Sequence, residues 1–188
     1  MSVIIIDNFD SFTFNLVHII EQLCSKFKII RNNKVNFDEI SLYDKIIISP
    51  GPGLPSDIKI IDKIIQKFAK NKSILGVCLG HQAIIESFGG KIFNMERVHH
   101  GLQKKTIVTD KNEPIYKNIP KSFLSGRYHS WAADNNSIPD SLKITAVDNS
   151  GLIMSVSHKL YDIRGVQYHP ESLMTPYGKQ IFKNWIKM

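Results

Sequence analysis

The chain has 188 residues, 43% of them apolar, 22% charged, with a formal charge of +7. That length suits roughly one domain and a core that needs no metal or disulfide staple, and the composition excludes a collagen-like, low-complexity or disordered chain. The longest apolar runs, such as Val3-Ile4-Ile5-Ile6, fall far short of the roughly 20 residues of a membrane span, and no basic stretch precedes an apolar one at the N-terminus, so neither a membrane partner nor a secretory signal is expected.

Val3 to Asp7 reads as a strand buried on both faces, because its apolar residues are continuous rather than alternating. Asp10 or Ser11 can cap a helix running to about Lys26, with Phe12, Leu16, Ile19, Ile20 and Leu23 on one face. Strands follow at Lys28 to Arg31 and at Lys45 to Ser49, the second stopped by Pro50. Ile58 to Ala69 is helical by its spacing of Ile61, Ile64, Ile65 and Phe68. Ser73 to Val77 reads as a fourth strand, and Gly80 to Phe88 as a helix ended by Gly89-Gly90. The second half changes character. Lys104 to Thr109, Lys143 to Asp148, Leu152 to His158 and Ile163 to Tyr168 read as strands, the last three joined as hairpins, before a final helix after Pro176. The expected fold is α/β: a single domain over residues 1–188, with a mostly parallel sheet flanked by helices and a late antiparallel portion.

Ligands of such sheets sit beyond the carboxyl ends of the strands. Gly76-Val77-Cys78-Leu79-Gly80 falls there, between a strand and a helix. It is the cysteine counterpart of a nucleophile elbow, whose glycines permit a tight turn that lifts the side chain above the sheet. A helix N-terminus and a nearby imidazolium favour the thiolate there, and the N–H of Leu79 points where an oxyanion would form. Cys24, on an apolar helix, reads as an inert core residue. Two cysteines make no disulfide framework, as fits a reducing, cytoplasmic setting.

A nucleophile needs a base and an orienting group. Of seven histidines, His169 stands out, because His169-Pro170-Glu171 follows a strand and sets an imidazole and a carboxylate two residues apart. Cys78, His169 and Glu171 form a candidate triad. His99 and His100, being adjacent, would point apart in a strand, and no cluster has metal-ligand spacing, so no metal is expected in this chain. Ser49-Pro50-Gly51-Pro52-Gly53 offers stiff, exposed amides suited to an oxyanion hole or a substrate clamp, and matches no phosphate-loop pattern. Lysine supplies 20 of the 24 basic residues and is scattered rather than interleaved with aromatics, so nucleic acid is not an expected partner.

Taken together, Gly76-Val77-Cys78-Leu79-Gly80-His81-Gln82, His169-Pro170-Glu171 and Ser49-Pro50-Gly51-Pro52-Gly53 resemble the class I (triad) glutamine amidotransferases, over nearly the whole chain. Asp7 to Asn15, Gly126-Arg127-Tyr128-His129-Ser130 and Glu171-Ser172-Leu173-Met174-Thr175 resemble the small-subunit branch of anthranilate and aminodeoxychorismate synthases. The resemblance implies a flavodoxin-like fold and a cytoplasmic subunit that hydrolyses L-glutamine and passes ammonia to a chorismate-using large subunit. By position, Cys78 would be the nucleophile, His169 the base and Glu171 its orienter. Gly51 and Leu79 would supply the oxyanion amides, and Gly51, Pro52, Gly53, Gln82, Ser130 and Trp131 would hold the glutamine. It implies no cofactor in this chain; Mg2+ is expected in the partner. Trp131, and Leu102-Gln103 after Gly101, depart from the branch's pattern, the latter in the segment expected near the partner. The rival readings are a stand-alone cysteine hydrolase and a non-catalytic regulatory subunit.

Overall fold

Val3 and Ile5 enter one apolar core while Ile4 and Ile6 enter another, so the first strand, β1 (Val3–Asp7), is buried on both faces, as its unbroken apolar run requires. A computed structural model describes residues 1–188, all but the side chain of Arg97. After β1 come α1 (Thr13–Leu23), β2 (Phe27–Arg31), α2 (Phe37–Ser41), β3 (Lys45–Ile48), α3 (Lys59–Phe68), β4 (Ser73–Val77) and α4 (Leu79–Ser87). The second half forms β5 (Ile92–Val108), β6 (Ser122–Ala133), β7 (Leu142–Asp148), β8 (Ile153–His158), β9 (Ile163–Val166) and α5 (Gly178–Ile186).

The strands make one sheet in the order β2-β1-β3-β4-β9-β8-β7-β5-β6. β2, β1, β3, β4 and β9 run parallel, and from β9 outward to β6 every neighbour is antiparallel. On one face Leu16 and Ile20 of α1 pack with Ile181, Phe182 and Trp185 of α5. On the other, Ile61, Ile64 and Ile65 of α3 pack with Ile84 and Ile85 of α4. The helical spacing read in α1 and α3 therefore marks the faces that cover the sheet.

The position of β9 decides where the chemistry assembles. Although last in sequence, it lies beside β4 in the parallel half, with Val77 opposite Val166. The segment after β4 and the segment after β9 therefore leave the sheet at the same end, as neighbours.

Several boundaries differ from the sequence reading. α1 stops at Leu23 rather than Lys26, because the chain must turn to set Phe27 beside Val3; Val3 N–H donates to the Lys26 carbonyl at 3.0 Å. Neither Asp10 nor Ser11 caps α1: the N-cap is Phe12, with no side-chain capping bond, while Asp10 Oδ1 accepts from Phe12 N–H at 2.7 Å in the turn before it. α2 was not foreseen; Asn36 caps it, its Oδ1 accepting from the N–H of Asp38 at 2.9 Å. The strand expected at Lys104 to Thr109 is the end of the 17-residue β5, and its partner β6 was missed. Both carry many polar residues and pair through two register shifts, at Asn94/His99 and His100/Leu102, which break the period-2 pattern. Among the described residues no helix is long and apolar enough to cross a membrane.

Candidate active site

Cys78 sits between β4 and α4 with φ 51° and ψ −99°, a backbone region that L side chains rarely adopt and that costs of order 1–3 kcal/mol. The two flanking glycines make the turn possible. A Cβ on Gly76 would lie 2.3 Å from the Gly80 carbonyl oxygen, and one on Gly80 would lie 2.4 Å from that of Ile48. The turn is tied to the next strand by Cys78 N–H, which donates to the Val166 carbonyl at 2.8 Å.

His169 leaves β9 three residues after Val166. Its N–H donates to the Gly126 carbonyl at 3.1 Å, and its own carbonyl accepts from Thr175 Oγ1 at 2.7 Å. Thr175 Oγ1 also accepts from Gly126 N–H at 3.0 Å. The Gly126 segment of β6 thus anchors the His169 loop. His169 Nδ1 and Glu171 Oε1 are 2.7 Å apart, so Pro170 does hold both side chains on one side of the turn. Nε2 is buried and has no partner. Burial alone would lower the imidazole pKa, but the Glu171 carboxylate and the charge of a Cys78 thiolate outweigh it and hold the pKa well above its ordinary value.

Two loops from the parallel half complete this end of the sheet. Asn8, after β1, donates its N–H to Ser49 Oγ and its Nδ2 to the Ser49 carbonyl, both at 2.9 Å. A Cβ on Gly51 would meet Asn8 Cβ at 2.6 Å and Leu79 Cδ2 at 2.8 Å, so only glycine fits where this loop closes on the elbow. Among the described residues, neither the Gly51 nor the Leu79 N–H has an acceptor in the protein. Pro52 and Gly53 lie farther out and exposed; the structure brings Gly51, but not these two, against the elbow.

Gln82 is buried on α4, and its Nε2 donates to the Trp131 carbonyl at 2.9 Å and to Gln167 Oε1 at 3.2 Å. The same Trp131 carbonyl lies 3.0 Å from His129 Nδ1, which must donate to it. Burial takes His129 down to about 3, and the same cause takes His81, packed against Gly165, to about 3. Ser130 and Trp131 themselves are half-buried on β6. His99 is buried and His100 exposed, pointing apart as strand neighbours do.

Sequence reasoning missed two features. Phe12 and Tyr128 lie over the His169 ring, with centroids 5.2 and 5.0 Å from it and 4.7 Å from each other. Gln167 reaches the nucleophile candidate: its Nε2 is 3.7 Å from Cys78 Sγ. The available signal was an amide within the otherwise apolar end of Ile163 to Tyr168. Among the described residues, no group of three or more His, Cys, Asp or Glu side chains is placed to hold a metal ion.

The sheet thus sets a strained cysteine turn beside a histidine–carboxylate pair at the ends of two adjacent parallel strands. The family model for glutamine amidotransferase class-I matches residues 4–188. The chain is 43% identical to anthranilate synthase component 2 of Cyanophora paradoxa, over 98% of this chain and 97% of that one. It is also 43% identical to anthranilate synthase component 2 of Methanocaldococcus jannaschii, over 98% and 96%. Among solved structures, a Thermoplasma acidophilum protein described as part of a GMP synthase superposes with a TM-score of 0.89 at 25% identity, over 100% of this chain and 92% of that one. The chain belongs to the class I glutamine amidotransferase family.

Proposed function

We propose that this chain is the glutaminase subunit of a chorismate-using synthase, hydrolysing L-glutamine through Cys78, His169 and Glu171. The observation that carries the reading is the convergence of the Cys78 elbow and the His169–Glu171 pair at the ends of the adjacent parallel strands β4 and β9. With Nδ1 held by Glu171, Nε2 of His169 is the nitrogen free to take a proton. The thiol of Cys78 gives its proton to that nitrogen, and the sulfur attacks the side-chain carbonyl carbon of glutamine. The oxyanion rests on the N–H groups of Gly51 and Leu79; one such donor is worth about 2.7–4 kcal/mol in comparable sites. Collapse expels the amide nitrogen with the proton from His169, releasing ammonia. Water, deprotonated by His169, then cleaves the thioester to glutamate and restores the thiol. Gly51, Gln82, Ser130 and Trp131 hold the amino acid, with Pro52 and Gly53 exposed at the outer side of the same loop. No cofactor takes part in this half-reaction, and the Mg2+-dependent chorismate chemistry belongs to the partner, in the cytoplasm.

A rim of exposed apolar side chains supports the partner. Phe14 is 77% and Leu173 99% exposed. Phe9, Val98 and Leu102 are exposed too. Phe9 and Phe14 stand on either side of Phe12 in the chain. Leu102 and Leu173 precede Gln103 and Met174, which share a hydrogen bond from Gln103 Nε2 to the Met174 carbonyl. Such a patch beside a site marks a docking surface. The names of the relatives favour anthranilate as the product, with 4-amino-4-deoxychorismate as the other product of the same chemistry. The test is incubation with a glutamine analogue bearing an electrophilic side chain, then co-purification with the native large subunit, then identification of the product made from chorismate. Labelling of Cys78 and not Cys24, with a glutamine-dependent aminated product, is expected. Equal labelling of both cysteines would refute the nucleophile assignment, and a complex inert to chorismate would refute the partner.

A further inference from the structure

We infer that Gln167 is a positioning residue that holds the Cys78 sulfur, at the end of a polar relay starting from the Trp131 carbonyl. The inference rests on the reading of Cys78 as the nucleophile. Gln167 is fully buried, so every polar contact it makes is inside the protein. A main-chain carbonyl can only accept a hydrogen bond, so Gln82 must turn Nε2 toward Trp131, 2.9 Å away. The second hydrogen of that same nitrogen then points to Gln167, and only Oε1 of Gln167 can receive it, at 3.2 Å. This leaves Nε2 of Gln167 facing Cys78 Sγ at 3.7 Å, within reach of a sulfur acceptor. The direction of the relay is therefore set by the backbone of β6, and neither amide can flip without losing a buried bond.

Position adds to this. Gln167 N–H donates to the Met154 carbonyl at 2.9 Å, which fixes its backbone one residue beyond the Cys78–Val166 bond. A neutral amide donor favours the thiolate over the thiol without adding a charge that would compete with His169 for it. The relay starts at the Trp131 carbonyl, on the strand proposed to hold the substrate. A shift of that strand would be felt at the sulfur.

The test is the pH dependence of alkylation of the full chain by iodoacetamide, with Cys78 and Cys24 followed separately by peptide mass. Cys24, whose Sγ contacts the Met1 and Lys26 carbonyls, is the internal control. Gln167→Met keeps the length and removes the donor. It should move the Cys78 profile up by about one pH unit and slow alkylation at pH 7 about tenfold, the scale expected for a hydrogen bond to a charged group. Gln167→Glu should move it further, because a carboxylate there repels the thiolate. The Cys24 profile should stay in place. A purely structural role would lower the melting temperature and leave the Cys78 profile where it was; that result, or a parallel shift of both cysteines, overturns the inference. Should neither variant fold, Gln82→Met interrupts the relay one step earlier and should shift Cys78 in the same direction, and no shift there overturns it equally. Alkylation reads the thiol whatever amide the protein hydrolyses, so this inference and the glutaminase reading fail separately.

Discussion

Cys78 and Val166, 88 residues apart in the chain, share a backbone hydrogen bond of 2.8 Å from the cysteine N–H to the valine carbonyl. That bond extends the β4–β9 ladder by one residue past Val77, and from it the two strands part. One turns at the strained cysteine; the other runs three residues on to His169. The placement of Cys78 relative to His169 is thereby set by strand pairing rather than by a flexible loop, which is how a rigid scaffold pre-organises a site.

Cys78→Ala is expected to abolish glutamine-dependent product formation by the complex while leaving synthesis from added ammonia nearly intact, because in the proposed reaction the sulfur serves only to release ammonia from glutamine. Parallel assays with glutamine and with an ammonium salt read the difference. Glutaminase activity persisting in this variant would remove Cys78 from the mechanism.

His169 and Glu171 should differ in severity. Without His169 the thiol has no proton acceptor, and a loss of about 10²–10⁴ in turnover is expected. Glu171 holds Nδ1 at 2.7 Å and raises the imidazole pKa, orienting the ring without itself moving a proton. Glu171→Gln should retain more activity than His169→Ala, with the pH profile of the remaining activity shifted down because imidazolium is less favoured. Steady-state rates from pH 5 to 9 decide it; a Glu171→Gln enzyme weaker than His169→Ala contradicts the roles.

How much of this was legible in the sequence depended on whether the signal was local. The strand Ser73 to Val77 and the elbow after it stand where the residues predicted them, since glycine spacing and an apolar run are properties of adjacent residues. The pairing of His169 with Glu171 was legible for the same reason. The adjacency of β9 and β4 was not, because nothing in Ile163 to Tyr168 names its neighbour 89 residues back. The Phe12–Tyr128 cover was invisible on similar grounds, and Gln167 showed only as an amide in an apolar stretch, without its reach to Cys78: each acts through a contact between segments distant in the chain. β6 was missed because Ser125, Arg127 and His129 are buried polar residues, which blur the alternation a half-buried strand should show.

The elbow should tolerate no side chain at Gly76. An added Cβ would lie 2.3 Å from the Gly80 oxygen, 2.4 Å from its carbonyl carbon and 2.7 Å from His81 N, all backbone atoms that cannot move aside singly. Gly76→Ala is expected to cost about 1–3 kcal/mol of stability and to slow labelling of Cys78 by displacing it from His169. Urea unfolding and the rate of analogue labelling measure the two. Unchanged labelling in a folded Gly76→Ala protein would show that the turn's geometry is dispensable.

Acid should destabilise the fold through His81 and His129. Both are buried, and burial takes each to about 3, against about 6.5 in an unfolded chain. Below pH 6.5 the unfolded chain takes up protons that the folded one refuses, so stability falls as pH falls, until the folded values near 3 are reached. Two such groups give a slope of about 2.7 kcal/mol per pH unit well inside that window. His169 has the opposite sign. Its raised pKa contributes stability that is complete below pH 6.5 and lost as pH rises through the folded value, so it does not alter the slope at lower pH. Unfolding midpoints in urea at pH 7, 6 and 5 give the slope, and His81→Gln should reduce it. A flat profile from pH 6.5 to 4 would contradict the buried, neutral state of both rings.

The isolated chain should turn over glutamine slowly. Cys78 is 7%, His169 2% and Glu171 4% exposed, and the rings of Phe12 and Tyr128 cover the imidazole. An amino acid reaching the sulfur is expected to displace part of this cover. Phe12 lies at the entry to α1, in the loop that carries the exposed Phe9 and leads to Phe14. Tyr128 touches His100 across 6.0 Å, at the edge of a β5 bulge where Gly101 has φ 66°. A partner seated on the apolar rim would therefore grip both halves of the cover through the segments that bear them, and favour an open arrangement. If the free chain leaves one oxyanion donor unused by its substrate, a deficit of about 10²–10³ in turnover is expected. Phe12→Ala should narrow that deficit in the isolated chain, because it removes one ring of the cover without touching the triad. The measurement is steady-state glutamate release by the isolated chain, by Phe12→Ala and by the complex with the large subunit, with and without chorismate. Turnover by the isolated wild-type chain equal to that of the complex would refute the gating and favour a hydrolase that acts alone.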